Sequence, residues 1–192
     1  MGYFKKFTLG LFLSLYLCEM GAGDTFGTPR LIGNGCSSEN VAFLPTETAF
    51  TMIFNHFSLS TDRGESFFRY CIMNLSVSIP RGFSISVESV DHRGFTALEV
   101  GARGVVWSDY RLGTSEFGSS PITVLKGPFE DEFIRRDTAK SKSIRSVCGA
   151  RSVNLRVSSF AWVIGNSRAR GALTLDSTDG AIQLKLNRER CN

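Results

Sequence analysis

Histidine is scarce in this chain: 192 residues contain two, His56 and His92. No Cys-x-x-Cys and no Gly-x-Ser-x-Gly occurs, and no two of the cysteines after residue 18 stand within a few residues of each other. These absences argue against a thiol redox site, a nucleophile elbow and a structural zinc cluster. Beyond the N-terminal segment, no window of 12 or more residues carries a helical apolar stripe, and no apolar run is long enough to span a bilayer. Internal repeats, linkers and low-complexity tracts are also missing. The net charge is mild, so an obligatory nucleic-acid partner is not expected. Nothing in the pattern calls for a cofactor.

What is present begins with an export signal. Lys5 and Lys6 precede an apolar run over residues 7–17, which is too short to cross a membrane, and Gly21-Ala22-Gly23 then supplies small residues. This order predicts a signal peptide over 1–23 and one mature domain over 24–192. A lipoprotein signal ending at Cys18 is disfavoured, because Tyr16 and Leu17 are bulky. The mature part carries 20 Lys and Arg against 17 Asp and Glu, a net charge of +3. It is long enough to bury a core. The expected location is extracellular, or periplasmic or cell-surface in a Gram-negative source.

Four cysteines remain in the mature chain: Cys36, Cys71, Cys148 and Cys191. An even number in an exported chain predicts two disulfides, with three possible connectivities. Cys71 shares parity with Met73, Leu75, Val77 and Ile79. Joining sequence neighbours then gives Cys36–Cys71 and Cys148–Cys191 as the preferred pairing.

The periodicity is that of strands. Phe50, Met52 and Phe54 alternate with less apolar residues, and Phe57 and Leu59 continue with switched parity, so a bulge is expected near Asn55-His56. Further runs start at Met73 and at Phe83. Asp91-His92-Arg93-Gly94 reads as a turn. Residues 95–110 and 121–134 read as strands. Val153, Leu155, Val157, Ala161 and Val163 face one way. Leu173 and Leu175 are expected to pair with Ile182, Leu184 and Leu186 as a hairpin across 176–180. Roughly 8–10 strands of this kind suggest an all-β antiparallel two-sheet sandwich, with a closed barrel as the alternative.

Several of these pieces, in this order, resemble a family of exported proteins catalogued as domain of unknown function 4360. The resemblance rests on Gly33-Asn34-Gly35-Cys36, on Cys71 with Asn74-Leu75, and on Ile79-Pro80-Arg81-Gly82-Phe83. It continues through Val90-Asp91-His92-Arg93-Gly94, Gly127-Pro128-Phe129, Cys148-Gly149-Ala150, the segment 175–180 and Arg190-Cys191. It implies export and a cysteine framework, and it implies no activity. His92 stands where the family turn has tyrosine, and Asn55 near a common acidic residue, so neither histidine is a hallmark of the family.

Candidate chemistry is sparse. Asp91 and His92 are adjacent, which on a strand sends them to opposite faces. A histidine in the 91–94 turn would point to water, and His56 would border a bulge. Neither is expected to be catalytic. Asp176 and Asp179 flank a tight turn and are weak calcium ligands at best. Glu130, Asp131, Glu132 and Asp109 are the carboxylates available to a glycosidase. Arg135, Arg136, Lys140, Lys142, Arg145 and Arg151 form a basic run that could hold an anion. Trp107, Tyr110 and Trp162 could line a sugar-binding face, though aromatics on strands usually pack in cores. Asn74-Leu75-Ser76 is a glycosylation sequon. Two functions follow: a non-catalytic extracellular module binding a surface glycan, protein or envelope component, or a secreted hydrolase using loop carboxylates.

The export reading has a direct test. Mass spectrometry of the exported protein should give a mature chain starting at or near Asp24. A chain retaining Met1, or a lipid on Cys18, would contradict it.

Overall fold

A computed structural model describes residues 25–62, 66–114, 118–119, 122–138, 144–166, 168–175 and 181–191, with the backbone alone at 118, 119 and 181. The predicted signal peptide lies outside the described residues. Thirteen strand segments are present among them: β1 (Arg30–Ile32), β2 (Val41–Pro45), β3 (Ala49–Phe54), β4 (Ser58–Thr61), β5 (Ser66–Ser78), β6 (Phe83–Leu98), β7 (Arg103–Leu112), β8 (Gly118–Ser119), β9 (Thr123–Lys126), β10 (Phe129–Thr138), β11 (Ser152–Ile164), β12 (Gly171–Thr174) and β13 (Ala181–Arg190).

They form two antiparallel sheets. In the first, the order is β1-β5-β11-β7, and β8 and β9 share the far edge of β7. In the second, β10 occupies one edge of β6 along residues 89–98, so β12 and β13 must both lie on the other edge. Next outward come β4 against β12 and β3 against β13, then β2 against β3. Three of the sheet tracks are thus interrupted strands, and the thirteen segments occupy ten tracks. This is the expected open sandwich.

The sheet faces follow from side-chain alternation. On β11, Leu155, Val157, Ala161 and Val163 are buried, and on β5 so are Cys71, Met73, Leu75 and Val77. Phe50, Met52, Phe54, Leu184 and Leu186 answer them from the second sheet. The parity switch read at Asn55-His56 is real: β3 stops there, Phe57 is buried, and β4 resumes beside β12. His56 is exposed at this break. The disulfides are Cys36–Cys71 and Cys148–Cys191, with Cα–Cα separations of 5.4 and 5.9 Å. Each closes a loop worth about 4 kcal/mol in the chain-entropy account.

Two expectations fail, and both failures turn on β6. Asp91-His92-Arg93-Gly94 is not a turn but the middle of this 16-residue strand. Its turn-like residues have other work. Asp91 is held by Arg136 across the β6–β10 ladder, with contacts of 2.6–3.1 Å. A Cβ at Gly94 would lie 2.1 Å from the Thr174 carbonyl oxygen and 2.9 Å from the Phe133 ring, so close approach dictates glycine there. The second failure is the hairpin. Gly171–Thr174 runs beside Leu98–Phe95, and Ile182–Arg190 continues in the same direction beside His92–Phe83. β12 and β13 therefore run in the same direction along β6 and are not the two arms of a hairpin. Apolar parity is the same in both arrangements, so the pattern alone could not separate them.

The correction at 91–94 moves His92 from solvent into the core. It is 1% exposed and lies in the inward row between Arg135 and Ile182. Neither ring nitrogen has a hydrogen-bond partner. Burial pulls its pKa down from 6.5 to about 4, against a smaller upward pull from Asp91. The unfolded chain takes up this proton at a higher pH than the folded one. The contribution of a neutral His92 is therefore complete above pH 6.5 and is lost as pH falls toward 4. A shift of this size corresponds to about 3 kcal/mol. Urea unfolding at neutral pH and near pH 4 should show this loss, and His92→Leu should flatten the profile and raise stability. An identical pH dependence in the variant would contradict the assignment.

Candidate functional site

The solvent-facing side of the first sheet is aromatic. Since Leu155, Val157, Ala161 and Val163 take the inner positions of β11, Phe160 and Trp162 point outward. Register places Tyr70, Phe160 and Trp107 in one row and Phe68, Trp162 and Val105 in the next. The rings pack nearly parallel. Trp107 and Phe160 have centroids 4.8 Å apart at an interplanar angle of 13°, and Phe68 lies 6.0 to 6.1 Å from Tyr70, Trp107 and Phe160. Phe68 is 42% exposed and Trp162 38%. The cluster rests on three central strands, so it is a rigid surface and not a loop.

The Gly33-Asn34-Gly35-Cys36 motif holds the β5 edge beneath it. β1 pairs only with residues 72–74 of β5. Where that ladder ends, the Asn34 side chain substitutes for a strand. Its Oδ1 accepts from the Tyr70 N–H at 2.8 Å and its Nδ2 donates to the Phe68 carbonyl at 3.0 Å. Gly35 N–H donates to the Tyr70 carbonyl, and Arg69 donates to the Asn34 carbonyl. Both glycines are dictated by close approach. A Cβ at Gly33 would lie 2.1 Å from the Tyr70 oxygen, and one at Gly35 would lie 2.6 Å from the Phe57 ring. The Cys36–Cys71 disulfide fastens the same junction covalently.

Polar groups adjoin the rings. Ile72, Ser158 and Asp109 form the next row, and Asn74, Arg156 and Arg111 the one after it. Arg156 Nε reaches Ser158 Oγ at 3.4 Å. Burial pushes the Asp109 carboxyl upward from its ordinary range, and the nearby Arg156 charge opposes this.

The residues singled out from sequence separate into distinct places. Trp107 and Trp162 belong to the aromatic face, whereas Tyr110 is a core residue whose hydroxyl donates to Asp137 at 3.1 Å. The basic run does not assemble into one open patch. Arg136 is bound to Asp91, Arg145 to Glu189, and Arg135 shares the inward row of His92 with its Nε buried. Lys140 and Lys142 lie outside the described residues, as do the turn carboxylates Asp176 and Asp179. Among the described residues there is no cluster of His, Cys, Asp and Glu suited to a metal ion. Phe68, Tyr70 and Phe160 were missed, although the inward parity read for residues 153–163 already put Phe160 on the outer face.

The carboxylates proposed for hydrolysis are also dispersed. Glu130 lines a cavity of about 970 Å³ at one end of the second sheet, with Asp62, Glu99, Phe67 and Phe129. Arg170 engages two of its three carboxylates: its Nε lies 2.8 Å from Asp62, and its backbone N–H donates to Glu99 at 2.9 Å. Asp131 accepts from the Glu132 N–H, and Asp109 stands on the opposite sheet.

A family model described as Domain of unknown function (DUF4360) matches residues 28–191. A curated relative from Arthroderma benhamiae, described as an uncharacterized secreted protein, is 32% identical over 168 residues. That match covers 84% of this chain and 66% of the relative, so the chain spans about two thirds of the relative's length. Among solved structures, TmCBM61 in complex with beta-1,4-galactotriose matches at 15% identity with a TM-score of 0.34, over 84% of this chain and 88% of that one. The galactotriose is that protein's ligand.

The Asn34 clamp has a measurable consequence. Asn34→Ala leaves the Tyr70 N–H and the Phe68 carbonyl to water and should cost about 1–2 kcal/mol. It should also weaken the near-ultraviolet circular dichroism of the aromatic cluster, because β5 is no longer held at residues 68–70. Unchanged spectrum and stability would show that the clamp positions nothing.

Proposed function

The chain belongs to the family described as Domain of unknown function (DUF4360), and on that footing we propose that it is an extracellular, non-catalytic module that binds a glycan through the aromatic face of its first sheet. Export is supported by the N-terminal pattern, by the two disulfides and by the secreted relative. The observation that carries the binding reading is a rigid cluster of near-parallel rings on the solvent side of three paired strands. Aromatic surface in that position contributes nothing to the core, and an exposed apolar patch of this kind marks an interaction site.

Aromatic rings beside hydrogen-bonding groups fit a sugar. The C–H faces of a pyranose pack on apolar rings, while its hydroxyls need donors and acceptors near the edge of the patch. Asp109, Arg156 and Asn74 supply both, one and two rows from Phe160. Catalysis has no comparable support. The loop carboxylates are scattered over both sheets, two of those in the cavity are engaged by Arg170, and buried His92 reaches no partner.

Binding should be measured with the purified mature protein on an immobilised panel of polysaccharides. Replacing Phe68 and Trp162 together by alanine should weaken retention at least about tenfold, the loss of roughly 1.4 kcal/mol, with the β circular dichroism spectrum retained. Retention unaffected by the double substitution would move the site elsewhere. Turnover of any retained polysaccharide would replace the module reading by the hydrolase one.

A further inference from the structure

We propose that the cavity at the end of the second sheet is a second binding site, separate from the aromatic face, and that it takes a short stretch of an uncharged sugar chain. Its floor is fixed by register. Ser60, Ala172, Ala97 and Glu130 form one row across β4, β12, β6 and β10. Thr61, Gly171, Leu98 and Phe129 form the row beside it, where these ladders end. Gly171, Ala172 and Ala97 on the two middle strands leave a trough between larger side chains at its margins. Phe129 and Glu130 stand on the β10 side, and Phe67 on the side where β4 meets β5. Phe67 shares the inward parity of Cys71 and Met73, yet it lies past the core and is 48% exposed. Phe68, the next residue, belongs to the aromatic face, so the two sites lie on opposite sides of β5.

The walls are held before any ligand arrives. Arg170 joins the end of β4 to the turn after β6: its Nε lies 2.8 Å from Asp62, and its backbone N–H donates to the Glu99 carboxylate at 2.9 Å. The Glu99 N–H donates back to the Arg170 carbonyl at 3.0 Å. Gly127 N–H donates to the Ala102 carbonyl at 3.0 Å, and a Cβ at Gly127 would lie 1.9 Å from the Glu99 carbonyl oxygen. Glycine there lets the Gly127-Pro128-Phe129 segment close on the turn, which sets Pro128 and Phe129 in one wall. At about 970 Å³ the cavity is of small-ligand size. Pro128, Phe129 and Phe67 offer apolar surface to the C–H face of a sugar ring. The carboxylates of Asp62, Glu99 and Glu130 accept from hydroxyls, and the Arg170 guanidinium donates to them. Three carboxylates against one guanidinium repel an anionic ligand. Arg170 already engages two of the three, so the lining is not a bare acidic patch. An uncharged polyol with apolar ring faces matches these groups together.

The test needs ligands too short to report on polymer retention and a protein without the aromatic face. Cellotriose, maltotriose, xylotriose and mannotriose supply the first, and Phe68→Ala with Trp162→Ala the second. In calorimetric titration, at least one trisaccharide should bind both the mature parent and this double variant. Phe67→Ala and Glu130→Gln, each made in the parent and in the double variant, should weaken that binding about tenfold, with the circular dichroism spectrum retained. Binding that ignores both substitutions would overturn the proposal, as would failure of all four trisaccharides to bind the parent. A glucosamine trimer that binds about tenfold more tightly than every neutral one, and loses that advantage in Glu130→Gln, would make the cavity an amine site and overturn the sugar assignment. Polymer retention that survives loss of Phe68 and Trp162 would count against the aromatic face and not against the cavity.

Discussion

The register of β11 between β5 and β7 is the constraint on which both faces of the first sheet depend. Thirteen residues of β11 pair in one unbroken register with β5, and ten pair with β7. Because side chains alternate, a slip of one residue would drive Phe160, Trp162 and Arg156 into the core and turn Leu155, Val157 and Val163 to water. Burial of the inner row therefore fixes the outer row without any force acting on it directly. The aromatic face is rigid because the opposite side of the same strands is packed against β4 and β12.

The second sheet solves its pairing differently. β6 is long enough to serve two separate segments, β12 and β13, along one edge and β10 along the other. That length is also why a turn-like quartet could sit in mid-strand. Asp91 faces out and is neutralised by Arg136, while His92 faces in and is kept neutral by burial. The bulge opposite Lys185-Leu186 lets Ile85 and Val87 on one side of it, and Val90 and His92 on the other, all point inward. Gly94 then admits the Thr174 carbonyl at the point where the chain leaves the edge.

Much of the fold was legible in the sequence because it depends on local alternation. The strands around Met73 and Val153, the parity break after Phe54 and the all-β class all follow from period-two burial, and the cysteine pairing followed from parity and order. What was hidden depends on partners distant in sequence. Whether β12 and β13 pair with each other or both with β6 is decided by β6, some 80–90 positions away, and the apolar pattern is identical either way. The site was half legible. Trp107 and Trp162 were visible as aromatics, but only their rows with Phe68, Tyr70 and Phe160 make a surface. The basic run that did stand out, 135–151, is largely consumed by Asp91, Glu189 and the core.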